Sequence, residues 1–268
     1  MTAVLIFYGI TVILIILHLF TRNAILEKAS FLSLVLSATS HLAYTILLGI
    51  RIGEMPIGNI PQAVNMMILL ASFIFIAAVL LKNAISLGVF FAPFAIFTLS
   101  LVSGSLGLDN ILVHKSEFWF FLHTSCVITG DALFMVSGIA SVVYIIHERL
   151  IKKGTIHSAA SNLPPLVLLD KIIASTLSTG FIAMTAGMII GGFWASNAGL
   201  KLTLIAPKIV SGAVMWIIFA FSLHQRFIIG WRGRRTAVIT LAGFLVMAML
   251  TILIEMLYPG AHGLRILP

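Results

Sequence analysis

Phe221-Ser-Leu-His-Gln-Arg-Phe-Ile-Ile-Gly-Trp-Arg-Gly-Arg-Arg235 runs from the end of an apolar segment carrying Trp216 into a basic turn punctuated by glycine. Such a boundary reads as the edge of a membrane. A histidine inside hydrocarbon is costly and normally has a job, so His224 stands out. The arginines at 226, 232, 234 and 235 mark the side that this edge faces. Composition agrees: hydrophobic residues make up 60% of the 268, charged residues 9%, and the mean hydropathy is +1.16, outside the usual range of soluble domains. The net charge of +8 sits at the ends of apolar runs, so it is a topology signal rather than a nucleic-acid-binding surface. A single cysteine, Cys126, excludes an internal disulfide and any C-x-x-C or C-x-x-C-H motif.

Eight apolar runs follow one another, at about 3–20, 29–50, 62–81, 84–102, 117–147, 172–194, 209–224 and 237–257. Each is near the roughly 20 residues that a bilayer requires. The first has no basic residue before it, whereas Arg22 and Lys28 follow it, the reverse of a cleavable signal peptide. Phe118-Trp-Phe-Phe121 opens the fifth run as an interfacial aromatic belt, and Gly187-Met-Ile-Ile-Gly191 in the sixth has the spacing that lets two helices approach closely. With the N-terminus outside, Lys and Arg fall inside at 22, 28, 82, 149, 152, 153, 171, 226, 232, 234 and 235, and outside only at 51, 115, 201, 208 and 265. That asymmetry supports the orientation. The expected fold is an all-α integral membrane protein, a bundle of about eight transmembrane helices with the N-terminus outside. Residues 1–268 read as a single transmembrane domain, with four helices in 1–103 and a second region in 117–263.

The histidines sort by depth. His123, in the first turns of helix five, and His262, in Gly260-Ala-His-Gly263 beyond helix eight, both meet the outer face. Two neutral imidazoles can ligate a haem iron from opposite sides, but surface histidines are common and the pair alone also fits a solvated role. His41 lies about twelve residues into helix two, roughly 18 Å from the inner edge at 1.5 Å per residue, with Tyr44 close by on the same face. It is either functional or a packing histidine bonded to a neighbouring helix, and the cost of an intramembrane ionisable group favours function. His224 is either an inner-edge site residue or a continuation of the basic loop, and His18 has a similar depth. Asp131 and Glu255, isolated acids in apolar runs, read as structural or supporting groups. His114, His147 and His157 read as solvated loop residues.

Leu122-His123, Glu148-Arg-Leu-Ile-Lys-Lys153, Leu163-Pro-Pro-Leu166, Leu169-Asp170, Gly191-Gly-Phe-Trp-Ala195, Pro207-Lys208, Leu223-His-Gln-Arg226, Gly230-Trp-Arg-Gly-Arg234 and Gly260-Ala-His-Gly263 occur in that order. Together they resemble the cytochrome c assembly membrane proteins of the CcsA/CcmC/HemX type, best over residues 118–263. The resemblance implies a multi-pass protein of a bacterial-type cytoplasmic (inner) membrane. It would receive non-covalent haem b, display it at the outer face and pass it toward apocytochrome c, beside a second membrane assembly subunit. By position, His123 and His262 match the external pair that ligates the haem iron, His224 the transmembrane histidine on the entry path, and His41 a histidine of helix two in smaller relatives. No catalytic residue is implied; the chain acts without catalysis of its own or as a subunit of a haem-attachment (haem lyase) system.

One element departs from the pattern. Haem-delivering members carry a tryptophan-rich external motif, W-G-x-x-W-x-W-D, before Pro-Lys. Here residues 195–206 read Ala-Ser-Asn-Ala-Gly-Leu-Lys-Leu-Thr-Leu-Ile-Ala, with neither tryptophan nor aspartate. The alternative is a HemX-like regulator of haem synthesis, acting on glutamyl-tRNA reductase levels without haem transfer. A small-solute transporter has only the helix count behind it.

Overall fold

In hydrocarbon the backbone finds no water to bond, so long apolar runs are satisfied as helices. The computed structural model describes residues 1–82, 84–106, 118–154, 162–197 and 202–257, with the side chains at 82, 202–208 and 254–257 outside that set. These residues form α1 Thr2–Thr21, α2 Ala24–Ile52, α3 Ile60–Lys82, α4 Gly88–Val102, α5 Phe118–Lys152, α6 Leu166–Asn197, α7 Leu202–Phe227 and α8 Arg234–Leu257. A 3-10 turn, Ile85–Leu87, leads into α4, and no strand occurs among the described residues. All eight helices are long and apolar enough to cross a membrane, α4 together with its 3-10 turn. The all-α bundle expected from the sequence is the fold.

Several helices begin ahead of their apolar runs. α2 starts at Ala24 rather than near residue 29, because Asn23 caps it: its side-chain oxygen accepts from the Ile25 N–H at 2.8 Å. α6 starts at Leu166, immediately after Pro164-Pro165, rather than near residue 172. α7 starts at Leu202 rather than near 209, which places Pro207 inside a helix instead of a loop. Charged residues mark where lipid gives way to water, whereas caps and prolines decide where the hydrogen-bond ladder starts.

In the first half, α1 packs on α2 and α4, and α3 on α2 and α4; in the second, α5 packs on α6 and α8, and α7 on α6 and α8. The halves meet where α3 packs on α5 and Phe94 lies against Phe244, ring centroids 5.7 Å apart. α5 is the central helix, with every residue from Ala132 to Ser141 buried. Its interface with α6 is the most extensive and depends on glycine: a Cβ at Gly187 would sit 2.8 Å from Val127 Cγ2, and one at Gly180 would sit 2.9 Å from the Phe134 ring.

The connections sort to two ends of the bundle. At one, here the Met1 end, Gln62 Nε2 donates to the Leu106 carbonyl at 3.2 Å. At the other, the arginine end, Asn162 Nδ2 donates to the Leu19 carbonyl at 2.7 Å and His147 Nδ1 donates to the Pro164 carbonyl at 3.1 Å. His147 is therefore a half-buried helix-end residue tied to the α5–α6 connection, rather than a solvated loop residue.

Candidate functional site

Near the Met1 end, α6 presents Gly187, Gly191 and Trp194, spaced i, i+4 and i+7, on the face toward α5. α5 answers with Phe120 and His123. The His123 Nδ1–H donates to the Gly187 carbonyl at 2.7 Å. A Cβ on Gly191 would overlap His123 Nδ1 and Cε1, so only glycine leaves space for the imidazole there. The ring is nearly parallel to Trp194, at 13° with centroids 6.4 Å apart, and Phe120 supports Trp194 at 5.1 Å. Trp119 packs edge-on against Phe193 at 5.0 Å beside them.

This geometry has a chemical consequence. With Nδ1 donating to a carbonyl, the lone pair of the neutral ring is on Nε2, the arrangement that orients metal-ligating histidines. Trp194 Nε1 is buried with no hydrogen-bond partner among the described residues, which leaves an orphaned donor beside the imidazole. A Nδ1-anchored imidazole, a parallel indole and an orphaned donor fit the edge of a flat, acceptor-bearing macrocycle. The partner histidine expected here, His262, lies outside the described residues, as do His114 and His157.

His41 has a different environment. α2 begins five residues earlier than its apolar run, so His41 lies about 26 Å along the helix from Ala24. It is fully buried, together with Tyr8, Asn65 and Ser72. Asn65 Nδ2 donates to Thr45 Oγ1 at 3.1 Å, whose own proton goes to the His41 carbonyl at 2.9 Å. The Asn65 oxygen is thereby left to accept from His41 Nε2–H at 3.0 Å. His41 Nδ1 then faces the Tyr8 hydroxyl at 3.3 Å, and that hydroxyl also meets Ser72 Oγ at 2.6 Å. Both ring nitrogens are engaged across α1, α2 and α3. A haem-contacting role would require breaking this network, so the geometry favours a structural histidine, bonded to neighbouring side chains rather than to a helix carbonyl. Sequence reading missed Tyr8, Asn65 and Ser72; an asparagine inside the apolar third run was the available signal.

At the arginine end, His224 is exposed in the last turn of α7, and its carbonyl accepts from Ile228 and Ile229 N–H at 2.9 and 3.3 Å. Two residues on, Arg226 forms a fork with Asp170: Nη1 donates to Oδ1 at 3.0 Å and Nη2 to Oδ2 at 2.7 Å. Gly233 N–H adds a bond to Asp170 Oδ1 at 2.9 Å. Gly233 has φ 66°, and a Cβ there would come within 2.7 Å of the Tyr144 hydroxyl. With the Arg226 and Asp170 side chains only 9% and 18% exposed, this clamp fixes the start of α6, the end of α7 and the turn into α8. Sequence reading took the arginines as orientation anchors and missed that one of them is a tertiary clamp.

Among the described residues, the histidines do not come together in one site. No group of three or more His, Cys, Asp or Glu residues at metal-binding spacing occurs among the described residues. His123 stands near the Met1 end and His224 at the arginine end. His18 Nδ1, also at the arginine end, is bonded to the Asn23 carbonyl at 3.2 Å. Asp131 Oδ1 is buried in α5 without a partner among the described residues, while the side chain of Glu255 lies outside them.

Comparison with known proteins points the same way along nearly the whole chain. The cytochrome c biogenesis protein CcsA of Synechococcus sp. (strain CC9311) is 26% identical over 274 residues, covering 88% of this chain and 89% of that protein. The CcsA of Chlamydomonas reinhardtii is 23% identical over 240 residues, 85% of this chain and 67% of that one. With the CcsA of Synechococcus sp. (strain CC9605) the identity is 26% over 166 residues, about half of each chain at 54% and 55%. No solved structure matches. The description "Cytochrome C assembly protein" fits residues 1–262, which takes in all eight helices, the α5–α6 histidine site and the Arg226 clamp, and on that extent the chain belongs to the cytochrome c assembly protein family.

Proposed function

We propose that the chain handles haem during cytochrome c assembly, holding it at the Met1 end of the bundle through His123 and His262 and presenting it there, on the outer face, to apocytochrome c. One observation carries the reading: His123 is locked by Gly187 and Gly191 into the tautomer that keeps its lone pair on Nε2. Haem b would supply an iron that neutral imidazole nitrogens can ligate, and His123 and His262 would hold it. The protein's part is to orient the ring, which the Gly187 carbonyl and Trp194 do, and to offer an apolar aromatic flank, which Phe120, Trp119 and Phe193 do. His224 at the opposite end suits an entry position. His41 is assigned here to holding α1, α2 and α3 together.

The chain purified after haem-replete expression should show a Soret band, and His123→Ala with His262→Ala should abolish it. A preparation without the band, or a band unchanged by the double substitution, would sink the reading. A second reading has its own support: α6 ends at Asn197 and α7 begins at Leu202, so no long aromatic loop separates them. That favours a regulator of haem synthesis without transfer. Deletion would then leave c-type cytochromes intact and alter glutamyl-tRNA reductase levels, whereas haem delivery predicts loss of the cytochromes.

A further inference from the structure

Between α5 and α8, at the arginine end, lies a groove of about 440 Å³, within the roughly 300–1,000 Å³ of small-molecule sites. It is built from two helical stripes. α5 contributes Val142, Ile146 and Arg149 at i, i+4 and i+7, and α8 contributes Arg234, Val238, Leu241 and Leu245 at i, i+4, i+7 and i+11. Each stripe is apolar along its length and ends in a guanidinium, so the groove is a trough about 10 to 16 Å long with two cations at one mouth. Val238 and Leu245 are exposed, at 46% and 58%, so the trough opens on the flank of the bundle that lipid would cover.

The charge at the mouth is only partly compensated. Glu148 accepts from Lys152 Nζ at 2.8 Å and lies 3.6 Å from Arg234 Nε. One carboxylate thus serves two cations, and the Arg149 side chain makes no ion pair or hydrogen bond among the described residues. We propose that this groove binds an anionic phospholipid, its phosphate between Arg149 and Arg234 and an acyl chain along Val142, Ile146, Leu241 and Leu245. Guanidinium forks match phosphate oxygens, and basic residues at a membrane surface attract anionic lipid. A zwitterionic headgroup would bring its own cation against the same arginines. This site lies at the opposite end from His123 and does not depend on haem handling.

Native mass spectrometry of the full chain, released from nanodiscs of equimolar phosphatidylglycerol and phosphatidylcholine, tests the proposal. Wild type should retain phosphatidylglycerol about tenfold or more over phosphatidylcholine, and Arg149→Gln with Arg234→Gln should remove that preference. Ala242→Trp, which fills the trough and keeps both arginines, should reduce the retained lipid as well. Equal retention of the two lipids by wild type would overturn the proposal. So would an equal loss in Lys153→Gln with Arg232→Gln, since it would mean bulk charge rather than a site.

Discussion

His123 and His41 occupy similar apolar helices, and their neighbours give them opposite uses. His41 has an oxygen partner for each ring nitrogen and no exposure; His123 has Nδ1 bonded to a backbone carbonyl and a glycine in place of any side chain beneath its ring. Two outcomes separate the roles. Asn65→Ala removes the acceptor of His41 and the donor to Thr45, and should lower stability by about 1–3 kcal/mol, since interhelical bonds in membranes are worth roughly 0.6–2 kcal/mol each. His41→Ala should likewise lower the thermal midpoint in detergent while leaving the Soret band intact. Gly191→Ala should act in the other direction: its Cβ displaces the imidazole, so haem retention falls on titration while helix content by circular dichroism stays the same. A Soret band lost in His41→Ala and kept in Gly191→Ala would reverse the two assignments.

At the scale of elements, the second half of the bundle is joined by two devices of different physics. Gly180, Gly187 and Gly191 let α5 and α6 approach until side chains of one touch the backbone of the other, so the gain is packing. The Arg226–Asp170–Gly233 clamp is electrostatic, and because it is largely withdrawn from water, desolvation offsets much of its attraction while making the loss of either partner costly. Removing one partner leaves the other charge stranded. Arg226→Ala should therefore cost about 3–5 kcal/mol, read as a fall in thermal midpoint, whereas Asp170→Leu with Arg226→Leu should recover much of it. The elements themselves were legible in sequence, because continuous apolar runs of about 20 residues cross a bilayer as helices; their starts were not. Asn23 and Pro165 decide where α2 and α6 begin, several residues outside the apolar runs that hydropathy detects.

At the scale of the whole molecule, one cluster of buried side chains among the described residues takes in Val4 in α1 and Met247 in α8. Orientation is proposed from charge: the arginine end faces the cell interior and the Met1 end, with His123, faces out. Alkaline phosphatase fused after residue 105 should be active and fused after residue 154 inactive; the opposite pattern would place the His123 site inside and remove the outer-face presentation. The amino-acid order by itself determined the all-α membrane class, the eight spans and the family resemblance, because hydropathy and motif order are written in one dimension. Only the tertiary structure decided what His41, His123 and His147 touch. Tyr8, His41 and Asn65 meet from positions 33 and 24 residues apart, and Arg226 finds Asp170 across 56, separations that no helical period links. Spacing reports which residues share a face of one helix; the packing of one helix on another selects the partners, and with them the use of each ionisable group.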